Sequence, residues 1–379
     1  MKIRASSARA VGVLALGLLP VVVSNPAAAQ APPDSARHAP LALSAGVLGA
    51  FIVEHTAKIN HLTRTHPTGL EGKVEWQTTG RQPWHAAWRY PKTGVAVAYY
   101  DFHNPVMGRC VSLSPYATKY IYRSAAQQVH FRLGVGVAYF TNPFSIGDNR
   151  KNTIVSTPLN AAIHFRFEYS RRLSPHLDAE GAFTFQHYSN GAFSKPNFGV
   201  NMPTLSAALS WHRARWVPAP APRQLAGLPA GQRRWFVDLA TSVAWRQWGV
   251  YDRKRYLVNG IHAQVGRRLN LKNNLTAGVD YFYDRSLVVQ RVADTLANAN
   301  PTVDVRKVGA VVGHELLLGR LAFNWHLAWY VYAPYRSATP YYQRIGLKYM
   351  ITPGLFGCVD LKAHRGSADV VEWKMGWRI

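Results

Sequence analysis

The segment Leu159–Tyr169, Leu-Asn-Ala-Ala-Ile-His-Phe-Arg-Phe-Glu-Tyr, changes character at almost every step. In an extended strand successive side chains point to opposite faces. One face therefore carries Leu159, Ala161, Ile163, Phe165, Phe167 and Tyr169, and the other carries Asn160, His164, Arg166 and Glu168. A soluble β-sandwich also alternates, but its polar face does not usually hold His, Arg and Glu in regular succession opposite large aromatics. Apolar-out, polar-in alternation is the pattern of a membrane-spanning barrel whose lumen is polar.

The same phase recurs outward from this segment. Residues 129–139 set Val129, Phe131, Leu133, Val135, Val137 and Tyr139 against His130, Arg132, Gly134 and Gly136. Residues 321–331 set Leu321, Phe323, Trp325, Leu327, Trp329 and Val331 on one face. The chain closes with Val371, Trp373, Met375, Trp377 and Ile379 against Glu372, Lys374 and Arg378. Strands are expected at 42–54, 70–79, 93–103, 111–123, 128–141, 158–171, 177–189, 201–213, 233–247, 255–268, 274–286, 307–318, 320–333, 340–351, 354–364 and 368–379. The fold class is all-β, a transmembrane antiparallel β-barrel of about 12–16 strands. Lipid offers no partner to a backbone N–H or C=O, so the strands must close on themselves. The His- and Pro-rich stretches 55–69 and 81–92 are not expected to be strands.

Residues 1–29 read as a secretory signal: Lys2, Arg4 and Arg9, then an apolar run Val11–Val23, then Ala27-Ala28-Ala29 before Gln30. Residues 30–379 form the barrel, with a Pro/Ala-rich linker at 214–231 and additional strands in 232–379. Short turns fall at 172–176 and 269–273, and longer loops at 142–157 and 287–306. Outer-membrane barrels keep short turns on the periplasmic side, so the linker is periplasmic and residues 177–189 run outward. The formal charge is +25, yet charged residues are only 17% and aromatics 12% of the chain. Basic residues are scattered through aromatic-rich strands instead of clustering on a polar domain, which argues against nucleic acid and for an anionic lipid surface. Cys110 and Cys358 are too far apart in sequence to form a framework and are expected to be unpaired thiols. No CxxC or HExxH pattern occurs, so no metal site is expected.

The chemistry concentrates in His187-Tyr188-Ser189-Asn190-Gly191, at the end of an alternating strand. His187 and Ser189 share the face of Phe183 and Phe185, and Glu180, Thr184 and Gln186 take the other. A base beside a hydroxyl can activate it as a nucleophile. The chain returns at 201–213 in the same apolar phase, which brings Asn201 to the face of His187, where it could orient the ring. Asn190 could donate to a developing oxyanion. Gly134-Val135-Gly136 precedes no helix and reads as small interior residues, not a phosphate loop. His314 and Glu315 are adjacent and so face opposite ways, with Glu315 toward the lumen.

His187-Tyr188-Ser189-Asn190-Gly191, followed by Lys195-Pro196-Asn197-Phe198-Gly199 and Asn201, resembles the lipid A 3-O-deacylase (PagL) family of outer-membrane barrels. Leu133–Phe144 and Thr157–Ala162 resemble its longer acyloxyacyl hydrolase members. The motif region spans 128–213. The resemblance implies Ser189 as nucleophile, His187 as general base and Asn190 in the oxyanion hole. The family's acid, a Glu, aligns with Asn201. A Ser-His-Asn set occurs on another lipid-facing barrel, outer-membrane phospholipase A. Glu168 has interior phase and is no substitute. The implied activity is that of an outer-membrane serine esterase that removes an ester-linked acyl chain from lipid A of lipopolysaccharide in the outer leaflet, without metal or organic cofactor. The alternatives are an outer-membrane phospholipase with the same residues, or a non-catalytic pore or structural barrel with a decayed site. No sequence feature fixes an oligomeric state.

Overall fold

The computed structural model describes residues 41–213, 233–295, 302–335 and 339–379. The expected signal at 1–29 and linker at 214–231 lie outside the described residues. All sixteen expected strands are present, several with the bounds the alternation gives. The first eight are β1 (Leu41–Ala50), β2 (Thr68–Gln77), β3 (Lys92–Asp101), β4 (Arg109–Arg123), β5 (Gln127–Phe140), β6 (Leu159–Ser174), β7 (Leu177–Ser189) and β8 (Val200–His212). The second eight are β9 (Trp235–Gln247), β10 (Arg255–Arg268), β11 (Asn273–Asp284), β12 (Lys307–Leu318), β13 (Leu321–Tyr332), β14 (Tyr341–Met350), β15 (Leu355–His364) and β16 (Ser367–Arg378).

One expectation is corrected by the strand order. The strands do not form a single wall but two closed antiparallel barrels, β1–β8 and β9–β16. β1 pairs with β8, from Ala42 opposite His212 to Ala50 opposite Thr204, and this seals the first barrel. β16 pairs with β9, Trp373 opposite Val243 and Trp377 opposite Leu239, and this seals the second. Alternation reports which face a residue takes but not which strand lies beside it. The stretch 287–306, expected to be a loop, begins as a helix, Arg285–Thr295.

Eight strands enclose an interior just wide enough for side chains to fill. In the first barrel Glu71 accepts from Arg132 and Arg166, both at 3.0 Å. Glu168 meets Lys73 at 3.0 Å, Arg166 at 2.7 Å and His130 at 2.8 Å. In the second, Arg344 bridges Asp280 at 3.0 Å and Glu372 at 2.8 Å. Arg378 bridges Asp238 at 2.7 Å and Glu315 at 3.0 Å. A buried charge is tolerated only when it is paired and hydrogen-bonded, and pairing of this kind holds these charges where alternation sends them, inward. Gly134 makes room for this filling: a Cβ there would stand 2.0 Å from the His164 ring.

The outward positions form an apolar band, with Leu205 68% and Phe167 53% exposed. Trp76, Trp211, Trp235 and Trp377 ring one end of the two barrels, and Tyr139, Trp245, Tyr281 and Trp329 ring the other. Aromatic girdles of this kind sit at the two membrane–water interfaces. The end carrying the short turns at 175–176, 269–272, 319–320 and 351–354 is periplasmic by the usual sidedness of such barrels. At the opposite mouth of the first barrel, Leu48, Ile52, Phe102, Phe140, Ile154 and Tyr188 belong to a buried apolar cluster that anchors the outer loops.

Candidate active site

β7 delivers His187 and Ser189 at its outer end, on the lipid-facing side. Phe183 on the same face is exposed, whereas Thr184, Gln186 and Tyr188 on the opposite face are buried. The β7–β8 register sets His187 directly across from Asn201. His187 Nδ1 lies 2.7 Å from Asn201 Oδ1, and Nε2 lies 3.0 Å from Ser189 Oγ. An amide oxygen only accepts, so Nδ1 carries the proton and Nε2 is left free to accept from the serine hydroxyl.

Asn201 is held in turn by a residue that the sequence did not single out. Asn201 Nδ2 donates to His55 Nδ1 at 3.2 Å, and His55 Nε2 donates to the Phe198 carbonyl at 2.9 Å. The β1–β8 ladder continues past β1, through Phe51 N to Pro203 O at 3.1 Å and Val53 N to Asn201 O at 2.9 Å. That continuation carries His55 to the amide. His55 fixes which end of the Asn201 amide faces His187: the NH2 is occupied, so the oxygen is presented to the imidazole. Sequence spacing could not reveal this, because the contact spans 146 positions and depends on which strand closes the barrel.

The loop 190–199 wraps over the pair. Asn190 donates its side-chain NH2 to Ser156 at 3.1 Å and to Thr157 at 3.2 Å, and its main-chain N–H to Asn197 Oδ1 at 3.2 Å. The backbone then passes through two left-handed residues, Gly191 at φ 61° and Ala192 at φ 64°. Gly199, at φ 75°, lets the loop return against the imidazole; a Cβ there would stand 3.0 Å from His187 Cε1. Phe198 N and Gly199 N bond to the carbonyls of Thr153 and Ile154, which ties the loop to the β5–β6 connection. Although Ser189 has outward phase it is only 6% exposed, and Asn190 is 8% exposed. Burial, together with the nearby Arg246, holds the Lys195 ammonium in this loop below the usual lysine range.

The remaining candidates behave as their phase requires. Glu168 lies in the lumen among Lys73, Arg166 and His130, away from His187. Glu315 is fully buried in the second lumen. Cys110 and Cys358 are free and buried in different barrels. Among the described residues no group of three or more His, Cys, Asp or Glu could hold a metal ion.

Residues 70–212 match the family model of lipid A 3-O-deacylase (PagL). Residues 235–379 match that of the acyloxyacyl hydrolase C-terminal domain. No curated protein matches the chain. Among solved structures, Neisserial surface protein A is 10% identical, with 46% of this chain and 97% of that one covered at a TM-score of 0.31. The outer-membrane enzyme PagL is 14% identical, with 44% and 97% covered at 0.30. The attachment invasion locus protein Ail of Yersinia pestis is 12% identical, with 46% and 98% covered at 0.30. With its two barrels matched by these two models, the chain belongs to the lipid A 3-O-deacylase (PagL) and acyloxyacyl hydrolase family of bacterial outer-membrane proteins.

Proposed function

We propose that the protein is a serine esterase that removes an ester-linked fatty acyl chain from lipid A in the outer leaflet. The observation that carries this reading is the hydrogen-bond chain from Asn201 through His187 to Ser189 on the lipid-facing side of β7. Ser189 Oγ attacks the acyl carbonyl carbon while His187 Nε2 takes its proton. Asn201 keeps the ring in the tautomer that can do so, with no carboxylate to steady the imidazolium, and His55 keeps Asn201 facing it. The tetrahedral intermediate collapses, and His187 returns the proton to the sugar hydroxyl that leaves. Water, deprotonated by the same ring, then attacks the acyl-serine and releases the fatty acid.

Asn190 is the oxyanion donor that the family pattern assigns. Its amide hydrogens already have partners, so it serves by exchanging Ser156 or Thr157 for the substrate oxygen. The left-handed pair Gly191 and Ala192 turns the chain tightly just after it, closed by Phe193 N donating to the Asn190 carbonyl at 3.2 Å. Packed lumens leave the outward face as the place where a lipid can reach these groups.

Mass spectrometry of lipid A from cells producing the protein should reveal a species lacking one acyl chain, absent when Ser189→Ala is produced. An acyl pattern unchanged by either protein would remove the reading. The amide at Asn201 also suits a phospholipase, and purified protein offered phospholipid or lipopolysaccharide separates the two by which one yields free fatty acid.

A further inference from the structure

The loop over the nucleophile is fastened to the other barrel. Gln247 ends β9 with outward phase, yet it is only 7% exposed. Its Oε1 accepts from Ser194 Oγ at 2.9 Å and from Lys195 N at 2.8 Å. Its own main-chain N–H donates to the Ala192 carbonyl at 3.3 Å. Its Nε2 donates to the carbonyls of Gly249 and Asp252, at 2.8 and 2.5 Å, which fixes the side chain from its own barrel. Around it, Lys195 Nζ donates to Trp248 O at 2.9 Å, and the Arg255 guanidinium lies 4.4 Å from the Phe193 ring centre. On the side nearer the nucleophile, a Cβ at Gly191 would stand 2.3 Å from Val371 Cγ2.

A single amide that takes two donors from one loop and gives two to another is a rigid coupling. It fixes residues 192–195, which lie between the nucleophile with its oxyanion donors and Gly199 behind the imidazole. We propose that Gln247 is a positioning residue for the esterase site of the first barrel, so that the second barrel is a working part of that site and not an independent module. The proposal rests on the esterase reading above and names what residues 235–379 contribute to it.

The test uses the full chain in detergent with a chromogenic acyl ester, comparing wild type, Ser189→Ala, Gln247→Ala and Gln247→Met. Gln247→Ala should lower kcat about tenfold with KM within about twofold, because losing a buried acceptor leaves two donors unpaired and the loop unfixed. Gln247→Met, which keeps the side-chain volume but neither accepts from Ser194 and Lys195 nor donates to Gly249 and Asp252, should lose as much kcat as Gln247→Ala. Hydrogen exchange should quicken in 190–199 of Gln247→Ala while the β7 and β9 ladders keep their protection. In a separate cycle, damage from Gly191→Ala should be partly relieved by Val371→Ala. An active wild type and an inactive Ser189→Ala, with Gln247→Ala at wild-type kcat, would overturn this proposal alone. A loss in Gln247→Ala with Gln247→Met at wild-type kcat would also overturn it, as a plain packing contact. A wild type no more active than Ser189→Ala would overturn the esterase reading and this proposal with it.

Discussion

Two Ser–His pairs in this protein have nearly the same geometry and opposite surroundings. In the second lumen His262 Nδ1 lies 2.7 Å from Asp280 Oδ1 and Nε2 lies 2.9 Å from Ser242 Oγ. By distances alone this is the better triad, because its third member is a carboxylate. Yet Asp280 also accepts from Tyr342 at 2.6 Å and is paired with Arg344, and the set is packed among side chains with no route for a lipid. A fluorophosphonate should therefore label wild type and Ser242→Ala equally and fail to label Ser189→Ala. At the outward site, His55→Ala should lower kcat about tenfold, the worth of one orienting hydrogen bond, with KM little changed. Asn201→Leu should cost more, since His187 then loses the partner that sets its tautomer. His187, Ser189 and Asn201 were legible because a period of two fixes their shared face and the hairpin fixes their register. His55 was not: it lies in an irregular stretch, and only the β1–β8 closure brings it across.

At the level of the strand, alternation located all sixteen strands. It did so because lipid outside and charge inside make the two faces chemically opposite, with little room for ambiguity. What it could not supply was strand neighbourhood, and one consequence is functional: the site straddles the seam at which the first barrel closes, with His187 on β7, Asn201 on β8 and His55 just beyond β1. A slip of that closure by one residue would turn His55 away from Asn201. The lipid-facing band makes a sharp prediction. Phe167→Arg, midway along β6, should destabilise the protein by about 2–4 kcal/mol, whereas Trp235→Arg at the interface should cost about 0–1 kcal/mol. Equilibrium unfolding in lipid vesicles, with both variants compared with wild type, checks the difference.

The described residues hold two closed ladders that share no strand, and loops of the first touch the second at both ends. On the periplasmic side Trp88 Nε1 donates to the Leu317 carbonyl at 2.8 Å. On the outer side Gln247, Trp248 and Arg255 carry the contacts to the loop 190–199. Breaking one lumen should therefore leave the other intact. Arg344→Met strips a guanidinium from Asp280 and Glu372 and should cost roughly 3 kcal/mol. Hydrogen exchange should report that loss in β9–β16 and unchanged protection in β1–β8. A single barrel with a larger wall would have lost protection throughout. The division into two was beyond the reach of composition and period, since a sixteen-stranded wall and two eight-stranded ones impose the same inward and outward demands on each strand.

The tight filling of the lumens by paired charges also has an electrical meaning. Arg166 is held between Glu71 and Glu168, Arg344 between Asp280 and Glu372, and Arg132 against Glu71, in lumens that side chains fill, so a planar bilayer loaded with this protein should carry no more current than bare lipid. A cell could then host many copies without leaking ions, and the two halves would disclose themselves only through what they do to the leaflet around them.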